Sequence, residues 1–530
     1  MIARAESGAA VDQRLVLLCY VALSAVALIP FFAVEFPGIV DYPNHLARLY
    51  LERHIDDPAV AALYEIKAAI IPNLALDAID WAFGGLVSEN VLLKGAIAGA
   101  IVVLLAAVLG VHRRLNGRAD PIVLIAPALA YNLAVSMGYI SYLIGAALAI
   151  VGFRVWLAIE GRRRLVQLAA INLIGAVIFF CHIFALAFFG VLIGAAEFER
   201  RRRSDGIARA TLRAGSWSAA MLAAPALLAL LAERSDAPLH VSYRLEKFVL
   251  LIAPVWTWWA IPDLLVMLVL IVFAWFLWTR RGAEIAPQMR LPLAITFAFA
   301  ILAPSAISQA IHVDARLSVP LAFLLVASSR LASIEARWSK ACVAGAAILV
   351  VARMIMATVQ WAEFDGRVRE FRALASTLAP GSSVLTAVPR ENQRSLGMGA
   401  DSCQVSPLYN HLASFLVIDR AVFNPFLFVG KGMQPLRIKD PVWQSRVVPT
   451  GPVPLTLLEQ FSSLSEAEKS IRLRRFLEYR LFPDYLLSWE RLFDYVIVLH
   501  FGCRDPVSLL ALRPLAEGRF FTIHAVVHPL

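Results

Sequence analysis

The sequence predicts a multi-pass α-helical membrane protein with an α/β domain at its C-terminal end. Of its 530 residues, 60% are hydrophobic and only 17% are charged, and the mean hydropathy of +0.70 lies far above the range of soluble proteins. The apolar residues form long runs, and roughly 20 helical residues are enough to cross a hydrocarbon layer of about 30 Å. A wholly water-soluble chain is therefore excluded.

About eleven apolar segments are predicted to span the membrane. The first follows a short head that carries Arg4 and Arg14. It has no small-residue cleavage site, so we interpret it as an uncleaved span and not as a signal peptide. The predicted spans are 15–34, 90–111, 121–138, 140–159, 165–181, 184–198, 212–232, 262–279, 291–308, 317–331 and 340–359.

The basic residues predict the orientation, because short loops rich in arginine and lysine resist translocation. These clusters share one face if the N-terminus is cytoplasmic, whereas the acidic loop 35–88 lies on the opposite, outer face. The net charge of +10 is therefore a topology signal and not a nucleic-acid footprint. High alanine and arginine content is typical of a GC-rich bacterial genome. We therefore predict that the protein lies in a bacterial inner membrane, with the C-terminal domain in the periplasm.

Two further segments are predicted to lie at the membrane surface without crossing it. Ile70–Val87 is apolar, but Asp77 and Asp80 fall on one face of a helix, so we interpret it as an amphipathic helix on the outer surface. The stretch 239–260 carries Trp256, Trp258 and Trp259, which are predicted to sit at headgroup depth.

The chain is predicted to divide into a transmembrane domain, 1–361, and an α/β domain, 362–530, whose charge density is that of a soluble protein. Strand patterns occur at 383–388, 415–418, 495–499 and 520–527, and helix patterns near 363–378 and 465–480. Cys403 and Cys503 lie in this domain. The sequence leaves open whether they form a disulfide.

The sequence contains no Walker loop, no G-x-G-x-x-G after a strand, no C-x-x-C pair and no H-E-x-x-H. Nucleotide-driven transport and zinc hydrolysis therefore have no motif support.

The stretch Val40–Arg48, just after the first span, carries the residue types expected of a catalytic site. Asp41 is placed to accept a proton from a hydroxyl or to help to hold a metal, and Asn44, His45 and Arg48 are candidate substrate ligands. The alternative interpretation is that Asp41 starts an interfacial helix whose His45 and Arg48 contact lipid phosphates.

Arg316 is predicted at the outer end of the tenth span, where an arginine is costly unless it is paired or faces an anion such as a phosphate. The alternative is that Arg316 extends to ordinary lipid headgroups or pairs with Asp314. His182, Tyr243 and Arg244 are predicted on the same face as further candidate ligands, and a turn role is the alternative for His182. For His411, Asp419 and Arg420, a solvated surface is favoured over acceptor contact.

These features resemble the GT-C superfamily of polytopic glycosyltransferases, in particular the branch of the protein O-mannosyltransferases and the lipid A aminoarabinose transferase. The acidic opening Asp41–His45, the Pro-containing segment Ile71–Leu74, the helix Ala75–Val87 and the late element Asp314–Pro320 carry the resemblance. Two positions depart from the family pattern. Tyr42 stands where a second acid is frequent, and Leu317 stands where an aromatic residue follows the late arginine.

The resemblance implies transfer of a sugar from a polyprenyl-phosphate carrier to a lipid, glycan or protein acceptor on the outer face of the inner membrane. Asp41 would be the general base and Arg316 would hold the carrier phosphate. No cofactor is expected. The chemistry is predicted to be independent of metal, because Asp41 has no adjacent carboxylate.

Two other classes of function stay open. In a transporter or flippase for an envelope lipid or glycan, Asp41 and Arg316 would be recognition charges, although the sequence shows no convincing internal repeat. In an envelope scaffold, function would lie in 362–530, but eleven spans exceed what an anchor needs.

Overall fold

The computed structural model describes residues 12–235, 239–245, 247–279, 282–308, 310–331, 336–389, 406–439, 451–465, 467–469, 471, 484–501 and 509–528. Cys403 and Cys503, and most of the helix predicted at 465–480, lie outside these residues, so the question of a disulfide stays open. The described chain up to residue 375 is mainly α-helical, and most of its helices pack around one apolar core.

The first seventeen helices follow the order of the predicted spans and loops. They are α1 (Gln13–Val26), α2 (Ile29–Ala33), α3 (Tyr42–Arg53), α4 (Pro58–Leu63), α5 (Ala75–Phe83), α6 (Glu89–Asn116), α7 (Leu133–Met137), α8 (Ile140–Ile159), α9 (Arg164–Cys181), α10 (Ile183–Arg202), α11 (Ile207–Met221), α12 (Ala223–Leu231), α13 (Val249–Ile252), α14 (Ala260–Thr279), α15 (Arg290–Leu302), α16 (Val313–Ser328) and α17 (Ala336–Ala375).

Six helical stretches in the described part are long and apolar enough to cross a membrane, or seven if the bent pair α11 and α12 forms one span. The predicted number of eleven is not confirmed, although each predicted span coincides with a helical segment. α15 has 13 residues, α16 has 16, and α11 meets α12 at an angle of 59°. Apolar composition locates these segments but does not reveal where the backbone breaks.

One predicted span is a broken segment, a 3-10 helix at Pro121–Leu129 followed by the short α7. Arg353 of α17 donates hydrogen bonds to the carbonyl oxygens of Tyr131 and Val255 and lies 3.5 Å from the carboxylate of Asp263. An unpaired carbonyl group away from water costs several kcal/mol. Arg353 therefore makes the break tolerable and fixes the backbone that leads into α8.

The first loop, residues 35–88, folds into α3, α4, the short strand β1 (Tyr64–Ile66) and α5. Ion pairs join its two main helices. Arg48 contacts Asp77 and also Glu52 at 2.7 Å, and Arg53 donates to Asp80 at 2.7 Å. Because Arg48 and Asp77 are both almost fully buried, this pair fixes the position of α3 against α5.

α5 is amphipathic, as its sequence predicts. Asp77 and Asp80 are buried against α3, whereas Trp81 and Phe83 expose 65% and 55% of their surface. Leu76 departs from the pattern because it is fully buried. The apolar face that remains exposed is of the kind that lies in a membrane interface, and the location of α5 on the outer surface stays a prediction.

Strands β2 (Val241–Ser242), β4 (Ala306–Ile307) and β5 (Ala310–Ile311) form one small sheet, and β3 (Ala283–Ile285) pairs with β6 (Ser329–Leu331). The headgroup position predicted for Trp256 is wrong. This indole is 4% exposed and packs edge-on against Trp258, so Trp256 belongs to the protein interior. Its carbonyl oxygen accepts a hydrogen bond from Ser136, which ties this stretch to α7.

A five-stranded sheet follows α17. Its strand order is β11-β12-β10-β7-β9, with β7 parallel to both β9 and β10, and β12 antiparallel to β10 and β11. The sheet confirms three of the predicted strand patterns. The strands are β7 (Val384–Val388), β9 (Val453–Pro454), β10 (Tyr495–Leu499), β11 (Leu512–Glu517) and β12 (Phe521–Val526), and the described helices nearby are α18 (Phe415–Arg420), α19 (Leu455–Ser462) and α20 (Trp489–Leu492).

The strand predicted at 415–418 is wrong, because these residues form α18. Phe415, Leu416 and Val417 are all buried, and three consecutive buried side chains fit a surrounded helix as well as a buried strand. Short apolar runs do not distinguish these two cases.

The C-terminal segment, residues 376–530, is connected to the rest of the chain by a strand pair and by the long helix α17. Strand β8 (Leu436–Ile438) pairs antiparallel with β1 of the first loop. The predicted boundary at residue 361 falls inside α17, which runs without interruption for 40 residues. The division of the chain into two domains stays a prediction.

We expect Arg48→Met to destabilise the protein by about 3–5 kcal/mol, because it leaves the carboxylate of Asp77 buried without its cation. The matched control is Lys67→Met, since Lys67 is half-exposed and forms a surface pair with Glu65. That change should cost at most about 1 kcal/mol. Thermal unfolding in detergent measures both effects, and equal melting temperatures for the two variants would contradict the role given to Arg48.

Candidate functional site

Asp41 lies at the start of α3 and packs against the turn that joins α7 to α8. Its backbone N–H donates to the carbonyl oxygen of Met137 at 3.1 Å. Gly138 in this turn has a φ of +82°, and a Cβ atom there would lie only 2.8 Å from the Cβ of Asp41. Asp41 is 8% exposed. The carboxylate is therefore held against backbone that accommodates only glycine.

Arg316 lies in the first turn of α16, and its guanidinium group is enclosed by aromatic rings. Its Cζ lies 3.6 Å from the ring centroid of Tyr139 and within 6 Å of the rings of Tyr142 and Phe184. Tyr142 donates a hydrogen bond to the Arg316 carbonyl oxygen at 2.5 Å, which anchors the helix backbone. Nε of Arg316 is buried and has no acceptor among the described residues. We propose that this unused donor faces an anion.

His182 contributes a second donor beside Arg316. It lies between α9 and α10, and its Nδ1 accepts the backbone N–H of Phe184 at 3.1 Å, so the proton of the neutral ring is on Nε2. This Nε2 lies 3.2 Å from Nη1 of Arg316. With the proton on Nε2 both groups are donors and cannot hydrogen-bond to each other, so we propose that they share one acceptor, such as a phosphate oxygen, that lies beside both.

The turn at Gly138 and Tyr139 connects the two predicted residues. Gly138 touches Asp41, and the ring of Tyr139 covers Arg316. Burial raises the pKa of the Tyr139 hydroxyl to about 12; the Arg316 guanidinium lowers this pKa and the Asp41 carboxylate raises it further. Tyr139 also hydrogen-bonds to His312 at 3.0 Å. The fold therefore brings Asp41 and Arg316, which are far apart in sequence, to one site.

The other candidates on α3 hold the site together and do not face open space. His45 Nε2 donates to the Gly138 carbonyl oxygen at 3.0 Å, which braces the turn. Asn44 bonds to the backbone of Phe426 and Phe428 in the C-terminal segment. Arg48 is only 1% exposed and is paired with carboxylates. We therefore propose that these three residues support the site without direct substrate contact.

Tyr243 and Arg244 are exposed and directly follow β2. Lys247, which lies nearby, bonds to Asp314 at 2.6 Å. This ion pair bears on the alternative that Arg316 pairs with Asp314. Asp314 is engaged by Lys247, so Arg316 does not depend on Asp314 for a counter-ion.

The surface predicted for His411 is wrong. His411 is 7% exposed, and its Nε2 lies 3.4 Å from Oδ1 of Asp41. Asp419 and Arg420 instead bond to Arg372 and to the Leu378 carbonyl oxygen. No sequence pattern pointed to His411, because 367 residues separate it from its partner Asn44.

No group of three or more His, Cys, Asp or Glu side chains in the described part of the chain is arranged to hold a metal ion. The metal-independence of the chemistry stays a prediction.

An apolar groove of about 550 Å³ runs between α5, α6 and α8. Its walls include Phe83 of α5, Val91 of α6 and Ile144 of α8, together with small residues such as Gly95 and Gly99. Tyr142, which contacts Arg316, and Ile144, which lines the groove, are both in α8. They are two residues apart, which corresponds to about 3 Å along the helix axis, but they project from different faces of the helix.

Comparisons with known proteins find a similarity in structure but not in sequence. In sequence, no protein-family model and no curated protein matches the chain. The cryo-EM structure of the arabinofuranosyltransferase AftD from Mycobacteria is similar to this chain at 14% identity and a TM-score of 0.41, covering 98% of this chain and 40% of that protein. This chain therefore spans less than half of the length of AftD.

We expect Gly138→Ala to destabilise the protein more than Gly117→Ala. Both glycines have positive φ, so both changes add backbone strain of about 1 kcal/mol. Only at Gly138 would the new methyl group also meet Asp41, whereas no atom lies within 4 Å at Gly117. Thermal unfolding of the two variants measures the difference, and equal losses would show that the turn does not constrain Asp41.

The stability of the protein should depend on the protonation of His45. Burial lowers the pKa of His45 to about 4, helped by Arg48, whereas an unfolded histidine titrates near 6.5. The unfolded chain therefore binds this proton first, and stability present above pH 6.5 is lost as the pH falls toward 4, on the order of 3 kcal/mol. His45→Gln keeps a donor without titrating, so its unfolding free energy should vary less over this window. An identical pH dependence for both proteins would contradict the assignment.

Proposed function

We propose that this protein is a membrane glycosyltransferase that moves a sugar from a polyprenyl-phosphate carrier to an acceptor hydroxyl, on the outer face of the bacterial inner membrane. One observation carries the proposal. A buried carboxylate, Asp41, and a buried donor pair, Arg316 and His182, lie on the two sides of the Gly138 turn. A base and an anion clamp are the two groups that inverting transfer from a phosphate-linked sugar requires.

The reaction assigns one role to each group. Asp41 accepts the proton of the acceptor hydroxyl while the acceptor oxygen forms a bond to the anomeric carbon of the sugar. The bond from that carbon to the phosphate oxygen breaks, and the carrier phosphate leaves with the electron pair. Arg316 and His182 donate hydrogen bonds to this phosphate, whose charge increases as the bond breaks.

The groove beside α8 supports a lipid-linked donor. Its lining side chains are apolar, and an isoprenoid chain gains about 25 cal/mol for each Å² of apolar surface that it removes from water. A lipid chain in this groove would hold the phosphate near the depth of Arg316. Binding energy from a part of the substrate that does not react would then position the part that does.

Asp41→Asn should reduce sugar transfer by about 10²–10⁴-fold, because the amide cannot accept the acceptor proton. Arg316→Gln should reduce it by about 10²-fold or more through loss of the leaving-group contact. The measurement uses purified protein in lipid vesicles with a panel of radiolabelled polyprenyl-phosphate sugars and a membrane extract as the source of acceptor.

The matched controls are Asp56→Asn and Arg330→Gln, since both residues are exposed and lie outside the site. Both should transfer label at the wild-type rate, and EDTA should leave wild-type transfer unchanged. Full transfer by Asp41→Asn would remove Asp41 from the role of base. No transfer by the wild type from any donor, together with flux of labelled lipid across the vesicle bilayer, would instead establish a transporter.

A further inference from the structure

The side-chain amide of Asn44 has one orientation only. Its Oδ1 accepts the backbone N–H of Phe428 at 3.0 Å, and its Nδ2 donates to the carbonyl oxygen of Phe426 at 2.6 Å. A flipped amide would place like groups together at both positions, so the backbone decides which atom is oxygen and which is nitrogen. The second hydrogen of Nδ2 is then available to Nδ1 of His411, which lies 3.1 Å away.

This orientation also decides the tautomer of His411. Because Asn44 offers a donor to Nδ1, Nδ1 carries the lone pair and the neutral ring carries its proton on Nε2. This protonated Nε2 lies 3.4 Å from Oδ1 of Asp41. The ring of Phe428 packs edge-on against the imidazole at 5.4 Å and limits its rotation.

The backbone around His411 is fixed as well. Its carbonyl oxygen accepts the N–H of Ser414 at 3.0 Å, and the Ser414 hydroxyl accepts a hydrogen bond from the Asn424 amide at 3.0 Å. The Oδ1 of Asn424 in turn accepts the N–H of Phe426, the residue that orients Asn44. Hydrogen bonds therefore connect the loop that carries His411 with the loop whose backbone binds the Asn44 amide, and both loops belong to the C-terminal segment.

We infer that His411 is a positioning residue that donates its Nε2 proton to Oδ1 of Asp41 and leaves Oδ2 to accept the proton of the acceptor hydroxyl. This inference rests on the proposed function, in which Asp41 is the base. His411 is not a proton relay, because Nε2 already carries a proton and Nδ1 is occupied by Asn44. The imidazole keeps its proton throughout the reaction, and the proton released by the acceptor stays on Asp41 until the product leaves.

The test compares His411→Ala with His411→Gln in the transfer assay. Glutamine can place an N–H near the position of Nε2, whereas alanine cannot. We expect His411→Ala to lower kcat about 10-fold or more with the KM for the lipid-linked donor unchanged, and His411→Gln to recover most of this loss. His54→Ala is the control, since His54 lies in the first loop with Asp41, and its imidazole hydrogen-bonds to the Tyr50 carbonyl oxygen and stacks on the Tyr50 ring.

The pH dependence separates positioning of the base from support of the fold. The donated hydrogen bond favours the charged carboxylate, so its loss in His411→Ala should move the acidic limb of kcat/KM to higher pH. His45 and Tyr139 are the other titratable side chains here that interact electrostatically with Asp41, and both are retained in this variant. A role in folding alone would lower the amount of active enzyme without moving the limb.

Each outcome decides the inference. Full activity of His411→Ala, or a folded His411→Gln as slow as His411→Ala with an unmoved limb, would overturn it. A wild type that transfers sugar in an Asp41-dependent way keeps the proposed function whatever the result at His411. If the wild type transfers no sugar, the ¹⁵N spectrum of His411, assigned by its loss in His411→Gln, still tests the network, and an Nδ1-protonated ring would overturn the tautomer.

Discussion

The structure of this protein depends on the burial of a polar helix. Ten of the twelve residues of α3 are buried, among them Asn44, His45, Arg48 and Glu52. A buried polar group that lacks a partner costs free energy of the same order as the net stability of a domain. Glu52 pairs with Arg48 within α3, whereas Asn44, His45 and Arg48 have partners on neighbouring elements, and these interactions decide which elements surround α3.

The partners of α3 come from three parts of the chain. α5 supplies the carboxylate for Arg48, the turn before α8 supplies the carbonyl for His45, and the C-terminal segment supplies the backbone for Asn44. Asp41, at the first end of α3, is fixed by all three. The candidate base thus gains its position from interactions that never touch substrate, whereas Arg316 is held mainly by aromatic rings that leave its polar edge unused.

Much of this arrangement could be predicted from the sequence, and the limits have physical causes. Apolar runs located the helices, and the period of α5 indicated its two faces. The same runs did not show the break at Pro121–Leu129, because Arg353, which supports it, is more than 200 residues away. Asp41 and Arg316 were singled out because each lies among polar residues at the outer end of a predicted span, and their roles stay predictions. His411 was not, since a histidine in a polar segment has no local pattern that reveals its distant partner.

The contact between Asn44 and His411 spans 367 residues, and this has a consequence for the biogenesis of the protein. At a synthesis rate of about 5–20 residues per second, α3 would leave the ribosome roughly 20–70 s before the loop that completes its surroundings. During that interval its polar side chains must remain hydrated or be covered by another protein. The site can assemble only after α17 and the segment that follows it have been synthesised. An unfinished chain in the membrane would therefore lack the assembled site.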